Sequence, residues 1–372
     1  MLLRLIIRTI VDLSITFESL FICPEKHPNE RRILILRKDG LGDCLIFYPT
    51  LKAYREFYKD AQITLVFPSI FKSLEPLLSN MDHVIWFDHA AFRSDFKYRR
   101  SFMHNLKRRG YDIAIYPVYS QEYIGNKMMK VTRAEKVFTF DKVKTLNVSE
   151  LSRNINFAEY ITGKKINVNF PTISTESLPE KSFQLPQSKY VMVFPGTSFA
   201  TYRRWPSERF AEIVKMLIDN DITPVLCGSP KEEYIIKNIT DKLSGSARKK
   251  ILDLSGKTDI ADLAHLLKHA EFYFGSDTGI LHLAVAVGIP CIGIIGSGGY
   301  QRFFPYGDLR RNRAIFDPEC VNGVYPLGTW EGAEKLPPGE IHPSIENITL
   351  DQARREVDYM LKFLYKKHEK SN

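Results

Sequence analysis

Glu271-Phe272-Tyr273-Phe274-Gly275-Ser276-Asp277-Thr278-Gly279-Ile280-Leu281-His282-Leu283-Ala284 is the stretch that decides how this chain folds. A strand-like apolar run, Glu271 to Phe274, ends in a turn of small residues. A helical apolar run with Leu281, Ala284, Val285 and Ala286 follows. Such a turn leaves backbone N–H groups unpaired at the helix start, with the positive end of the helix dipole behind them. That is a site for an anion, most often a phosphate. Asp277, the Thr278 hydroxyl and the His282 imidazole crowd the same turn, so the anion is expected to belong to a substrate.

The same rhythm extends in both directions. Strands are expected at Tyr190–Phe194 and near 222–227, 251–254, 271–275 and 290–295, alternating with helices near 207–219, 230–243, 260–268 and 279–287. Upstream, Ile33–Arg37, Ile63–Phe67, Val84–Phe87 and Ile113–Tyr116 read as buried parallel strands, with helices near 44–59, 70–79 and 95–109. This alternation predicts an α/β chain of two doubly wound parallel-sheet domains, 31–175 and 186–348, joined at a polar stretch, Thr175 to Ser182. Two such domains facing each other would place a central cleft between their strand C-terminal edges, where open α/β sheets bind ligands. Residues 1–30 form an extension. The proline-bearing segment 317–348 shows little periodicity. Thr349 with Gln352 makes a capping box for a last helix, 349–372, whose apolar side is Val357, Met360, Leu361 and Leu364.

Composition narrows the class. A chain of 372 residues suits two cores rather than one, and 44% hydrophobic with 26% charged residues is a soluble globular profile. Five scattered cysteines without a C-x-x-C argue for a reducing, cytoplasmic setting, and against a disulfide framework or a zinc site. The net charge of +9 favours an anionic partner: nucleic acid, a membrane face or a phosphorylated substrate. In the first 22 residues Arg4, Arg8, Asp12 and Glu18 interrupt the apolar run and no cleavage site follows. Ile6, Ile10, Leu13 and Phe17 instead fall at helical spacing, which reads either as a helix docked on its own domain or as one lying in the face of the inner membrane. The basic, aromatic run from Phe92 to Arg100, continued by Lys107-Arg108-Arg109, is either a solvated helix over a core or a surface for an anionic glycolipid or membrane. A polynucleotide fits a two-domain cleft less well.

Four strand-to-helix turns carry the chemistry. The first is Lys38-Asp39-Gly40-Leu41-Gly42-Asp43. Leu45 replaces the third glycine of a dinucleotide fingerprint, and the second strand ends in Phe67-Pro68-Ser69 with no acid for a ribose, so a Rossmann dehydrogenase is not indicated. Asp43 is there either as a helix N-cap or as a base kept ionised by the helix start. The second turn, Pro195-Gly196-Thr197-Ser198, precedes Arg203-Arg204-Trp205-Pro206. Hydroxyls and guanidinium groups in that order can cradle a diphosphate. Ser207 is expected to cap the helix beyond. The third, Gly228-Ser229-Pro230-Lys231-Glu232-Glu233, offers a carboxylate either to the helix dipole or to the two hydroxyls of a ribose. Asp277-Thr278-Gly279 with His282 is the fourth. The chain has no D-x-D, no P-loop and no G-x-S-x-G, so a metal-bridged diphosphate, a P-loop NTPase and an ordinary α/β-hydrolase are not indicated.

From about residue 31 to 310 the chain resembles glycosyltransferase family 9, the ADP-heptose:lipopolysaccharide heptosyltransferases and their relatives. The resemblance rests on Gly42-Asp43, Phe194-Pro195-Gly196, Arg203-Arg204-Trp205-Pro206, Gly228-Ser229-Pro230-x-Glu232, Leu254-Ser255-Gly256-Lys257-Thr258, and Asp277-Thr278-Gly279-x-x-His282-Leu283-Ala284 with Gly288-x-Pro290. Singly these are weak, and in this order they are specific. The resemblance implies a GT-B fold with the acceptor on the N-terminal Rossmann-like domain and the donor on the C-terminal one. It implies inverting transfer without a metal or other cofactor, the nucleotide-diphospho sugar being a co-substrate. Carried over, Asp43 on the Gly40–Gly42 loop would be the general base. Arg203 or Arg204, with Thr197 and Ser198, would hold the diphosphate. Glu232, or else Glu233, would bind the ribose, and Lys257 and Thr258 would border the nucleobase. Asp277, Thr278, Gly279 and His282 would grip phosphates and sugar. Some relatives carry paired cysteines after the Phe-Pro-Tyr step. Here only Cys320 stands, so no metal-holding finger is expected.

The expected activity is therefore transfer of heptose from ADP-heptose to a lipopolysaccharide-core or related anionic glycolipid, at the cytoplasmic face of the inner membrane and without nucleic acid. The rival readings are a nucleotide-sugar epimerase of similar architecture and a catalytically inactive sugar-nucleotide-binding partner of another transferase.

Overall fold

The central apolar runs become strands because they are buried on both faces, as parallel strands covered by helices must be. A computed structural model of the chain describes residues 21–120, 122–140, 148–178, 185–197, 200–323, 333, 336–337 and 339–365. The extension expected at 1–30 lies outside the described residues up to residue 20, as do Ser198 and most of 324–338. The chain divides into two compact units: residues 1–147 with 152–167, and residues 148–151 with 168–372.

In the first unit the strands β1 (Arg32–Leu36), β2 (Gln62–Pro68), β3 (His83–Phe87), β4 (Ile113–Ile115) and β5 (Lys136–Phe138) form an all-parallel sheet in the order β3-β2-β1-β4-β5. Helices Leu41–Phe47, Thr50–Phe57, His89–Ser94, Phe96–Arg108 and Tyr123–Thr132 make the crossovers. The segment Ser69–Leu78 is 3-10 rather than the α-helix expected near 70–79. Its backbone leaves helical geometry at Leu74, and Pro76 has no N–H to bond.

In the second unit β6 (Tyr190–Phe194), β7 (Thr223–Leu226), β8 (Leu252–Asp253), β9 (Tyr273–Ser276), β10 (Cys291–Ile294) and β11 (Asn312–Ile315) form a parallel sheet in the order β11-β10-β9-β6-β7-β8. Helices Ser207–Asp219, Glu233–Thr240, Ile260–Lys268 and Gly279–Val287 lie where the periodicity puts them. Ser207 does not cap its helix. Pro206 occupies the cap position and no side chain bonds the first turn, because the fixed proline backbone already sets the entry angle.

Trp205 of the Arg-Arg-Trp-Pro stretch is a core residue. Its ring is wholly buried against Phe210 and Phe274, and its indole N–H donates to the Ile348 carbonyl at 2.8 Å. The last helix, Leu350–Tyr365, starts at the expected capping box. Thr349 N donates to Gln352 Oε1 at 2.7 Å, and Gln352 N to Thr349 Oγ1 at 3.2 Å. Its Val357, Met360 and Leu361 complete the same core as Trp205.

Each sheet has one topological switch point, where the strand order departs in both directions: between β1 and β4 in the first unit, and between β6 and β9 in the second. Loops leaving the carboxyl ends of such a strand pair diverge and open a crevice. Asp43 follows β1. The Pro195–Thr197 and Asp277–Gly279 turns follow β6 and β9.

Candidate active site

At the second unit's switch point the turns are tied to one another. Ser276 Oγ donates to the Pro195 carbonyl at 3.2 Å, joining the loops after β9 and β6. The Thr197 hydroxyl donates to the Ala200 carbonyl at 2.9 Å and closes its own turn. Glu232 is buried. Its Oε2 accepts from Ser229 N at 2.9 Å and Ser229 Oγ at 2.7 Å, a capping box that fixes the carboxylate. A Cβ at Gly196 would fall on the Glu232 carboxylate, so only glycine lets the turn after β6 approach it. The structure thus brings Glu232 to the switch point. Glu233 belongs elsewhere, with its carboxylate against Gly256. Lys257 Nζ donates to the Asp253 carbonyl at 2.8 Å, and Thr258 is half-buried beside it. Both follow β8, two strands from β6, or about 10 Å along the sheet.

The two arginines part company. Arg203 Nη2 donates to the Asp277 carbonyl at 2.5 Å and to Asp277 Oδ2 at 3.2 Å. Arg204 turns away: Nη1 donates to the Tyr234 hydroxyl at 2.7 Å, with the guanidinium 5.3 Å from that ring. Spacing alone left the pair equivalent, and only Arg203 reaches the switch point.

Thr278 stands at the cap position of the helix Gly279–Val287, and its side chain makes no capping bond to the helix. The first N–H groups of that helix are therefore offered to an incoming anion. Asp277 is buried beside them, and a Cβ at Gly299 would collide with its carboxylate. Sequence reasoning missed this loop, Gly296-Ser297-Gly298-Gly299 after β10, although a glycine-rich run after a strand was a readable signal. His282 is buried too. Its Nδ1 pairs with the Tyr306 hydroxyl at 2.5 Å, the rings stack at 5.9 Å, and Nε2 is 3.8 Å from Asp277 Oδ1. Burial pushes its pKa down to about 4, with Asp277 opposing and Arg203 reinforcing the shift. At neutral pH this imidazole is uncharged, so it serves an anion as a hydrogen-bonding group and the cation is Arg203.

The shift has a consequence for stability. An unfolded histidine titrates near 6.5. His282 therefore contributes its full stability above that pH and loses it as the pH falls toward 4, a total of about 3 kcal/mol. His282→Gln is expected to flatten the dependence of the urea midpoint on pH between 7 and 4. An unchanged slope would remove His282 from the acid response.

In the first unit Asp43 lies in the first turn of Leu41–Phe47, and Gly40, not Asp43, takes the cap position. Its side chain is 34% exposed. Sequence reasoning missed its neighbour Arg37, the residue after β1, whose side chain is 1% exposed. Arg37 Nη2 lies 3.2 Å from Asp39 Oδ2 and 3.9 Å from Asp43 Oδ1. Its Nη1 donates to the Pro117 carbonyl and, at 3.1 Å, to Asn154 Oδ1. Lys38 pairs with Glu122, and its carbonyl meets the His89 ring.

The model of glycosyltransferase family 9 (heptosyltransferase) matches residues 133–320, about half of the chain. This chain belongs to that family. Among curated relatives, lipooligosaccharide heptosyltransferase 2 of Campylobacter jejuni is 22% identical over 327 residues, covering 85% of this chain and 98% of its own. Lipooligosaccharide heptosyltransferase 2 of Haemophilus influenzae is 27% identical over 167 residues, covering 45% of this chain and 46% of its own, so the chain spans about half the length of that relative. In fold, the chain is similar to the Escherichia coli ADP-heptose lps heptosyltransferase II, with TM-score 0.65 and 18% identity over 89% of this chain and 99% of that one. It is also similar to E. coli heptosyltransferase WaaC with ADP, with TM-score 0.63 and 16% identity over 88% and 99%. The architecture is GT-B. Among the described residues no helix is long and apolar enough to cross a membrane.

Proposed function

We propose that this family 9 chain is an inverting, metal-independent glycosyltransferase that moves heptose from ADP-heptose onto a lipopolysaccharide-core acceptor, with Asp43 as general base. The observation that carries the reading is the switch point between β6 and β9. There an uncapped helix start at Gly279, the Arg203 guanidinium on Asp277, and the fixed Glu232 carboxylate stand on adjoining turns. A diphosphate suits the first two and a ribose diol the third, with Lys257 and Thr258 left for the base. The relatives named heptosyltransferases, and the solved relative holding ADP, supply the sugar and the nucleotide of this reading.

In the proposed reaction Asp43 removes the proton of the acceptor hydroxyl, and that oxygen attacks the anomeric carbon from the face opposite the diphosphate. The carbon–oxygen bond to the diphosphate breaks, which inverts the centre. Arg203 and the N–H groups at Gly279 meet the charge that develops on the leaving group. Thr197, Ser198, Thr278 and His282 complete the donor contacts, and Gly40 and Gly42 let the acceptor approach the base loop. The exposed Arg93, Phe96, Lys97 and Arg100 make a cationic face suited to an anionic glycolipid or to the cytoplasmic surface of the inner membrane.

Thermal unfolding with ADP-, GDP-, UDP- and dTDP-sugars tests the donor. Saturation at about one hundred times Kd adds roughly 2.7 kcal/mol. ADP-heptose and ADP are expected to raise Tm, and a shift confined to another nucleotide would replace the donor. Family membership sets the epimerase aside. A chain that bound ADP but neither transferred sugar nor hydrolysed donor would be the inactive binding partner instead.

A further inference from the structure

We propose that Arg37 is the positioning residue of the base, the group that orients Asp43 and sets the pH at which it works. The inference rests on Asp43 being that base. A guanidinium this deeply buried needs partners of opposite charge or hydrogen-bond acceptors. Here one nitrogen meets the Pro117 carbonyl and Asn154, across the switch point from β1, and the other faces Asp39 and Asp43 together. Arg37 therefore holds both ends of the Gly40–Gly42 turn from beneath. Phe47, whose ring lies 5.3 Å from the guanidinium, limits its movement further.

The arrangement has an electrostatic meaning as well as a mechanical one. The cation favours the ionised form of Asp43, whereas Asp39 on the same nitrogen competes for that cation and repels Asp43. Other groups around the loop are the Lys38–Glu122 pair, His89 and Arg93 of the helix His89–Ser94, Cys44 of the base's own helix, and the buried phenols Tyr54 and Tyr116. Burial raises the Cys44 thiol and both phenols and so keeps them neutral, and it lowers His89. Lys38 is already matched by Glu122. Arg37 and Asp39 thus set opposite charges 3.2 Å apart beside the base.

Two variants should move the enzyme in opposite directions. The acidic limb of kcat/KM against pH reports the essential base of the free enzyme. Arg37→Met is expected to raise that limb by about one pH unit, so activity falls roughly tenfold more at the acidic end than at the alkaline plateau. Asp39→Asn, a change at a partly exposed site, is expected to lower the limb, and Arg37→Lys to lie between Arg37→Met and the wild type. The ADP-induced rise in Tm should be the same in all three, since donor groups lie in the other unit. If Arg37→Met does not fold, the signs of Asp39→Asn and Arg37→Lys still decide. Limbs that stay put, move the same way in both variants, or give way to a loss equal at every pH would overturn the proposal and leave Arg37 as a buried strut. Asp43→Asn run in parallel separates the two readings. If it remains active, the base assignment fails. If it is inactive while the limbs stay put, only the role of Arg37 fails.

Discussion

Asp43→Asn is expected to lower kcat for glycosyl transfer by about 10³, within the 10²–10⁴ that a positioned general base contributes. The substitution keeps the size of the side chain and its place in the first turn of Leu41–Phe47. Because Gly40 holds the cap position, no capping bond is lost. What disappears is one negative charge near a helix start, worth about 0.3–1 kcal/mol of stability at a partly exposed site, together with its pairing to the buried Arg37, so Tm should fall modestly. The rise in Tm on adding ADP should be unchanged, since no donor group is touched. Steady-state transfer with purified donor and acceptor, beside ADP binding, separates lost chemistry from lost folding. A variant within threefold of wild-type kcat would remove Asp43 as the base.

The doubly wound sheets were legible because central parallel strands are buried on both faces and so read as unbroken apolar runs. Tyr190–Phe194 and Ile63–Phe67 announce themselves in this way. The turns after β6 and β9 were legible because glycine, proline and hydroxylated residues after such a run leave few other conformations. Two of the four edge strands were not. Lys136–Phe138 is three largely exposed residues, and Asn312–Ile315 carries Arg313, whose charge is matched by Glu356 at 2.7 Å from the last helix. Both become strands through pairing with distant neighbours, which no local window contains. Arg37 escaped notice for a related reason. A cation ending an apolar run looks like the strand's exit into water, and only Pro117 and Asn154, far along the chain, make it a buried one. The choice between Arg203 and Arg204 was likewise settled by Asp277 and Tyr234, not by anything within the motif.

Arg203→Met and Arg204→Met should therefore differ sharply although the residues are adjacent. Arg203 places Nη2 on Asp277, and a guanidinium presents its N–H donors in a fixed fork that matches a diphosphate, so the same cation can face both. Removing a preorganised donor from the place where leaving-group charge develops costs about 10²–10³ in kcat. ADP carries the same diphosphate, so its stabilising effect on unfolding should shrink as well. A second signature follows from the neighbours. Asp277 would lose its cation, and the pKa of His282, which Arg203 helps to depress, would rise. With a smaller gap to the unfolded value, the loss of stability between pH 6.5 and 4 would become shallower than in the wild type. Arg204→Met removes a guanidinium stacked on Tyr234, a ring 50% exposed, and should change kcat by less than about tenfold with the acid response intact. Transfer rates, ADP thermal shifts and urea midpoints at pH 7 and pH 4.5 on the two variants test all of this together. Equal losses in both would mean that the diphosphate is held by the pair, and that the contact of Arg203 with Asp277 is a resting arrangement which the bound donor replaces.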